Sequence, residues 1–397
     1  MPRSLPLRAS LDWLRKLARD RQKARRSEKP DATLSDSQLE VAREYGFASW
    51  RQLKAHVDQQ RERLDALVSP DLLRAAAHDR VGPDDPDLMQ LLADVDAGAS
   101  QAVADRLARR PALANAKGPD GRAPIHVAAQ RNDPRLAALL VAYGADPEAR
   151  YGDSGHTAVS WAVTCQAFEC ARALVRLGAQ ADLFTAAGLG DLESVRACFD
   201  GSGNLIEGAS TTGSSRFGPD GSRLPCPPET PRERISDALA FACRNGQVEV
   251  VEFLLDRQPD LSFRAYLGAT PLHWAHFGGS REAIRRLEEA GADPSSRDDT
   301  LGCTPRGFGI LVPAQWGLEF LVRARLDEDP SLANFIDGRT SALHEAARSG
   351  HPGVVRLLLG RGAARSMVDG AGKAPVDLAF EGGHADVVAL LERQAAD

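Results

Sequence analysis

Apolar residues recur along this chain in short helical stripes separated by glycines, and one stretch shows the unit most clearly. In 268–293, Leu272, Ala275 and Phe277 line a first helix, and Gly278 and Gly279 turn the chain. Ala283, Ile284 and Leu287 then follow at the three- and four-residue spacing of a second helix. Thr270 is placed to cap the first helix, with Pro271 at the first position, where a backbone N–H has no intrahelical partner anyway. Gly291 stands where a left-handed C-cap favours glycine. Helices this short are not stable alone in water, so the unit must stack on copies of itself.

The copies are present. Pro124 to Ala158 is 34 residues, Pro271 to Pro305 is 34, Ala342 to Pro375 is 33, and the helix-ending glycines Gly144 and Gly178 are again 34 apart. A fixed period of this size predicts a solenoid. Clear repeats are expected at 120–146, 155–182, 268–293 and 341–362, with a short one at 183–206, and the array is expected to resume after the aperiodic stretch at 238–260. Residues 70–117 form a degenerate opening, with one helix predicted around Leu72, Leu73, Ala76 and Ala77. A second is predicted around Leu88, Leu91, Leu92 and Val95, and a third around Val103, Leu107 and Leu113. Residues 302–337 depart from the pattern: Arg306 replaces an apolar residue, Gly307 a histidine, and Pro313 is expected to interrupt the helical turn. Residues 374–394 close the chain with a charged outer face. Between the repeats, 201–234 is rich in Gly, Pro, Ser and Thr and aperiodic. It is far longer than an ordinary loop, and is either a recognition lid or a loose insertion.

Ahead of the repeats, residues 1–30 are strongly basic, with Leu7, Leu11, Leu14 and Ala18 on one helical face and Trp13 and Leu17 beside it. Such a helix either docks by its leucine face or touches an anionic membrane or nucleic acid. Two capping boxes follow, Ser35 to Gln38 and Ser49 to Gln52. The first opens a helix that Gly46 ends, and the second a helix carrying Trp50, Leu53, Val57 and Leu64. The division expected is a basic helical segment at 1–69 and a repeat array at 70–397.

Charge and cysteine content narrow the function class. The net charge of −6 does not suggest a nucleic-acid binder. No apolar run approaches the length of a membrane span, so no transmembrane segment is expected, and no apolar leader follows the basic start. Six cysteines without C-x-x-C spacing point to reduced thiols in the cytoplasm, with Cys170, Cys198 and Cys243 as core residues. No phosphate loop, nucleophile elbow or zinc-protease motif is present, so no cofactor and no metal are expected.

The motifs APIHVAA (123–129), TPLHWAH (270–276) and ALHEAARSGH (342–351), with YGAD (143–146) and AGAD (290–293), resemble ankyrin repeats. The resemblance covers roughly 88–397 and implies an all-α ankyrin-repeat solenoid of roughly seven to eight helix–turn–helix repeats behind an N-terminal helical cap. Residues 34–58 resemble the helical segment found before ankyrin repeats in many bacterial proteins, which hints at a bacterial source. In the family the motif histidine bonds neighbouring turns together, so His126, His273 and His344 are expected to be structural. Partner contacts come from the turn fingertips and from the last residues of the inner helices. Carried over, the fingertips include Tyr151, Asp153, His156, Tyr266, Leu267, Asp299 and Arg339. The inner-helix positions include Arg131, Arg244, Phe277 and Arg348.

Two functional readings follow. The first is a binding protein that holds a protein or peptide on its concave face. The second is an enzyme or small-molecule binder with a groove site around Trp161, Trp274, His276 and Arg306, covered by 201–234. In that reading His276 is the general acid or base, Arg306 clamps an anion or carbonyl, and Glu345, beside Phe308 in the series, is a further acid or base. The plainer alternative for His276 is a residue filling space between uneven repeats. For the aromatics Trp161, Phe241, Trp274 and Phe308 it is packing between repeats.

Overall fold

The computed structural model describes residues 11–26, 31–45, 47, 49–55, 57–58, 79–218 and 220–392. The helix expected around Leu72 to Ala77, the positions Leu7 and Leu64, the Gly46 stop and the side chains of Trp13 and Asp153 lie outside them. The chain falls into two compact units, 1–189 with 193–212, and 190–192 with 213–397. Each is described in turn.

In the first unit the helix Leu11–Arg26 docks by its leucine face. Leu14 and Ala18 are fully buried against Val41, Ala42, Tyr45, Leu53 and Val57. Its basic face is partly neutralised, since Arg21 pairs with Glu44 and Arg25 with Glu40. The next helix, Leu34–Glu44, is not opened by Ser35. Thr33 caps it instead, accepting from the Asp36 N–H at 3.1 Å while the Asp36 carboxylate reaches back to Thr33. At the second expected box, the Gln52 N–H does donate to Ser49 at 3.2 Å.

Helix pairs then follow in order: Pro86–Asp96 with Ser100–Arg109, Pro124–Gln130 with Pro134–Ala142, Ala158–Thr164 with Phe168–Arg176, and Leu183–Leu189 with Leu192–Ala197. The inner helix of each pair packs on the next: Pro86–Asp96 on Pro124–Gln130, that on Ala158–Thr164, and that on Leu183–Leu189. The helix expected around Val103, Leu107 and Leu113 is Ser100–Arg109, which carries the first two, and Leu113 falls in the 3-10 stretch that follows it, Pro111–Asn115. Its Asn115 staples two repeats: Nδ2 donates to the Gly144 carbonyl at 2.8 Å, and Oδ1 accepts from the Asp146 N–H at 2.7 Å.

The second unit repeats the plan. Its pairs are Pro231–Arg244 with Val248–Leu255, Pro271–Gly278 with Arg281–Glu289, Pro305–Gln315 with Glu319–Glu328, Ala342–Arg348 with Pro352–Gly360, and Pro375–Glu381 with Ala385–Glu392. A second 3-10 stretch, Pro330–Asn334, spells the same motif as the first, P-x-L-A-N. Asn334 makes the same staple, to the Gly362 carbonyl and the Ala364 N–H, both at 2.8 Å. Pro313 does not interrupt its helix. It sits in the last turn, and its carbonyl accepts the Leu318 N–H at 2.9 Å, the bond that closes the inner–outer turn. Inner helices approach closely at Gly278, where a Cβ would meet the carbonyl oxygens of Cys243 and Arg244 at 2.5 and 2.7 Å. Gly291 follows its helix at φ +93°, the left-handed stop expected there.

The 201–234 stretch is ordered by carboxylates. In the first unit Asp182 accepts from the N–H groups of Thr211 and Thr212, at 2.7 and 2.6 Å, and from the Thr212 hydroxyl. In the second, Asp237 accepts from the N–H and hydroxyl of Ser214 at 2.8 and 2.5 Å. The stretch ends earlier than expected: the helix Pro231–Arg244 starts inside it, capped by Thr230 with Glu233 in a capping box. Among the described residues no helix is long and apolar enough to cross a membrane.

Candidate functional site

The motif histidines form a bonding slot. The Ala123 N–H donates to His126 Nδ1 at 3.2 Å, which leaves the proton on Nε2 to donate to the His156 carbonyl at 3.3 Å. His273 repeats this between Thr270 and the Cys303 carbonyl. His344 does so between the Ser341 hydroxyl and the carbonyls of Met367 and Lys373. Burial pushes the pKa of His126 down to about 4 and lowers those of His273 and His344. All three are neutral structural residues, as the resemblance implied.

Where the histidine is missing, other groups stand in. Ser160 holds the slot in the second clear repeat, and its hydroxyl meets His156 Nδ1 at 3.2 Å. His156 pairs with Tyr151 in the hairpin Arg150–Tyr151/His156–Thr157. It is 5 % exposed, so it belongs to the hairpin core and is not the open fingertip expected. At Gly307 the Asp337 carboxylate fills the slot, accepting from the Thr304 N–H at 2.8 Å and from the Thr304 hydroxyl.

In the first unit, Tyr151 packs edge-on against Trp161 with ring centroids 4.9 Å apart, and His156 lies 5.9 Å from Trp161. Both Tyr151 and Trp161 are half-buried. Arg131 is exposed and lies 3.8 Å from Asp96. Trp161 stands in this unit, whereas Trp274, His276 and Arg306 stand in the other.

The second unit carries the larger aromatic patch. Trp274 and Phe277 are buried in the helix Pro271–Gly278, and Phe308 is buried in the next inner helix. Trp274 lies 5.3 Å from Phe277 and 5.1 Å from Phe308, both edge-on. On this base sit Tyr266, 40 % exposed, and the half-buried Trp316. Tyr266 lies 6.4 Å from Trp274 at an interplanar angle of 15°, and Trp316 lies 6.4 Å from Tyr266 and 6.5 Å from Trp274. The Arg244 guanidinium lies 5.7 Å from the Trp274 centroid and 5.6 Å from that of Phe277. Sequence reasoning missed Trp316, although it precedes Gly317 at the same pre-turn position as Arg131. The irregular repeat hid the alignment.

The polar pocket expected from His276 and Arg306 takes another form. Arg306 is exposed and turned to its own repeat, bonded to Asp329 at 2.7 Å and stacked over Phe335 at 4.8 Å. A guanidinium at a core position avoids its desolvation cost by swinging to the surface, where a carboxylate meets it. Glu345 is buried, accepts from the Thr340 hydroxyl at 2.6 Å and lies 3.8 Å from Arg348. His276 is half-buried and makes no side-chain hydrogen bond among the described residues. Burial, and after it the neighbourhood of His273 and the guanidinium groups of Arg325 and Arg306, pushes its pKa to about 4. Among the described residues no group of three or more His, Cys, Asp or Glu is arranged to hold a metal ion.

Stacked helix pairs, hairpins and histidine slots define the class, and the sequence comparisons name it. The sequence model described as "Ankyrin repeats (3 copies)" matches residues 74–200 and 224–298, and that described as "Ankyrin repeat" matches 339–369. The chain belongs to the ankyrin-repeat family. It is 31 % identical over 154 residues to an ankyrin repeat and KH domain-containing protein of Caenorhabditis briggsae, covering 39 % of this chain and 6 % of that protein. It is 31 % identical over 175 residues to a palmitoyltransferase of Lachancea kluyveri, covering 42 % of this chain and 22 % of the other. With cyclin-dependent kinase 4 inhibitor B of Rattus norvegicus it shares 33 % identity over 119 residues, 30 % of this chain and 88 % of the inhibitor. The first two similarities thus span only a small part of those relatives.

Proposed function

We propose that this chain is an ankyrin-repeat binding protein that holds a protein or peptide partner on its concave face, with the patch of Tyr266, Trp274, Phe277 and Trp316 as the main anchor. The observation that carries the reading is Tyr266: a large aromatic side chain left 40 % exposed on a buried aromatic base. Aromatic residues on a packed base are the usual anchors of interfaces, because they offer much apolar area at small entropic cost. The similarity to a cyclin-dependent kinase 4 inhibitor, matched over 88 % of its length, agrees with it. Arg131, Tyr151 and Trp161 are secondary contacts in the first unit. Six free cysteines support a reducing, cytoplasmic setting, and the likeness of 34–58 to a bacterial pre-repeat segment keeps a bacterial source within this reading. The groove-enzyme reading is not adopted, since Arg306 and Glu345 are engaged by Asp329 and Thr340 and leave His276 without either expected colleague.

The test is site-specific photocrosslinking in the cell of origin. A benzophenone side chain replaces Tyr266 in one version of the protein and Phe320 in another. Phe320 is 59 % exposed on an outer helix. A partner crosslinked from position 266 but not from 320, and lost when Trp316 is also changed to Ala, supports the reading. Equal capture from both positions refutes it.

A further inference from the structure

In the second unit, the repeat after the insertion spends on helix the residues that its neighbour spends on a turn. Asp237 stands at the position of Thr270. The residues just before Thr270 form the turn 264–269, whereas those before Asp237 lie inside the helix Pro231–Arg244. The inserted stretch supplies a turn from elsewhere. Arg216–Gly218 and Asp220–Leu224 pair as a small antiparallel hairpin, with Phe217 opposite Arg223. The Leu224 N–H donates to the Arg216 carbonyl at 2.9 Å, and the Gly218 N–H to the Ser222 carbonyl at 2.7 Å. Ser214 ties the hairpin to this repeat through its two bonds to Asp237.

Arg216 then acts as the arginines of other turns do. Arg264 donates to the Gly268 carbonyl of its own turn and to the Arg297 carbonyl of the next. Arg297 donates to the Gly302 carbonyl and pairs with Asp337 one turn on. In the first unit Arg150 donates to the Gly155 carbonyl and to that of Thr211 in the insertion. Arg216 donates to the Pro225 carbonyl at 2.9 Å and lies 5.1 Å over the Phe263 ring, at the foot of the next turn. Further along, the Asp299 N–H donates to the Leu267 carbonyl and the Gly370 N–H to that of Arg339. The hairpin thus heads a rank whose other members are 264–269, 297–303, 336–341 and 368–373.

The rank gathers exposed apolar side chains. Among the described residues eight large ones are strongly exposed, and four of them stand here: Phe217 at 58 %, Tyr266 at 40 %, Ile336 at 49 % and Val368 at 52 %. Apolar residues scattered singly are ordinary, but a run of them marks a contact face. Three cations of the rank are already matched, Arg264 by Asp299, Arg297 by Asp337 and Lys373 by Glu381. What it offers a partner is therefore mainly apolar area. Packed helices stand about 8–10 Å apart, so the four steps from Phe217 to Val368 span roughly 35 Å, about eleven residues of extended chain.

We propose that the inserted hairpin is a substitute finger, not a lid, and that the partner lays an extended apolar segment along this rank, with Phe217 as its first anchor. This rests on the binding reading above and names the chemistry and reach of the partner.

The test selects phage-displayed random 16-residue peptides on the full chain. The enriched peptides are expected to be rich in apolar residues. Synthetic copies should bind Phe217→Ser and Ile336→Ser about tenfold more weakly than the parent. They should bind Phe320→Ser and Phe380→Ser as the parent, although Phe320 and Phe380, 59 % and 75 % exposed, stand further into solvent than Phe217. All four side chains are exposed, so the thermal midpoint should not move. Enrichment of no peptide overturns the proposal, as does equal weakening by Phe217→Ser and Phe380→Ser. Peptides weakened by Tyr266→Ser but not by Phe217→Ser refute the substitute finger and leave the binding reading standing. Peptides indifferent to both refute the two together.

Discussion

Asp337 does for Thr304 what His273 does for Thr270. In each repeat the residue before the first helical proline finds an acceptor for its N–H, at 2.8 Å from the carboxylate and 3.2 Å from the imidazole. Only the source of the acceptor differs, since Asp337 reaches back from the next hairpin. Asp337→Ala leaves the Thr304 N–H and hydroxyl without their partner and should cost about 2–3 kcal/mol, read as a lower urea midpoint. Gly307→His alone should also destabilise, because any Cβ there meets the Asp337 carboxylate. In the Asp337→Ala background the same histidine should recover part of the loss. Simple additivity in that double variant would contradict the stand-in role.

Stability should fall between pH 6.5 and about 4. His126 and His276 stay neutral in the fold down to about 4, held there chiefly by burial. In the unfolded chain a histidine takes its proton near 6.5. Within that window the unfolded state binds more protons, so stability is complete above it and is lost as pH falls through it. For the fully buried His126 the loss amounts to roughly 3 kcal/mol at the bottom of the window. A urea midpoint that stays level from pH 7 to 5 would rule this out. His126→Gln should flatten part of the slope.

The cysteines should divide by access. Cys165 and Cys226 are half-buried. Cys170, Cys243 and Cys303 are fully buried, and burial pushes their thiols up, that of Cys170 to about 12. Cys198 is also buried, with its thiol against the Ser194 carbonyl. A disulfide reagent at pH 8 should therefore modify two thiols quickly and the other four only on unfolding. Rapid reaction of Cys243 or Cys303 would show that the inner helices open readily.

Asp182 and Asp237 both occupy the position that threonine holds in TPLH, and both hold the inserted stretch. Asp182→Ala should make 201–212 a protease target, and Asp237→Ala should do so for 213–230. Limited proteolysis with mass mapping reads each separately. An unchanged cleavage pattern in both variants would mean that other contacts keep the stretch ordered.

These cases mark what could be read from sequence. The period, the prolines at first helical positions, Gly291 and the three structural histidines were legible because each is a local rule repeated in phase. Of the two readings open for the N-terminal helix, the structure takes docking by Leu14 and Ala18. What failed was non-local. Asp337 serves a residue 33 positions earlier, and nothing in the spacing marks it. Arg306 was placed in a groove by aligning it to the motif, but a long charged side chain need not follow the position it replaces. His156 looked like a fingertip until Ser160, four residues on, supplied the hydroxyl that draws it inward. Thr33 outcompeted Ser35 as a cap because Asp36 could answer it.

The stand-ins at Ser160 and Gly307 bear on how such a chain changes over time. A histidine whose task is to satisfy one N–H and reach one carbonyl is replaceable by any nearby group that meets the same demand. Once a substitute is in place, the original letter is released from constraint. Repeats can then lose their recognisable spelling while keeping their shape, and the least recognisable one here contributes Phe308 and Trp316 to the aromatic patch. In such an array, novelty at the working surface is easiest to acquire where the motif has been worn away.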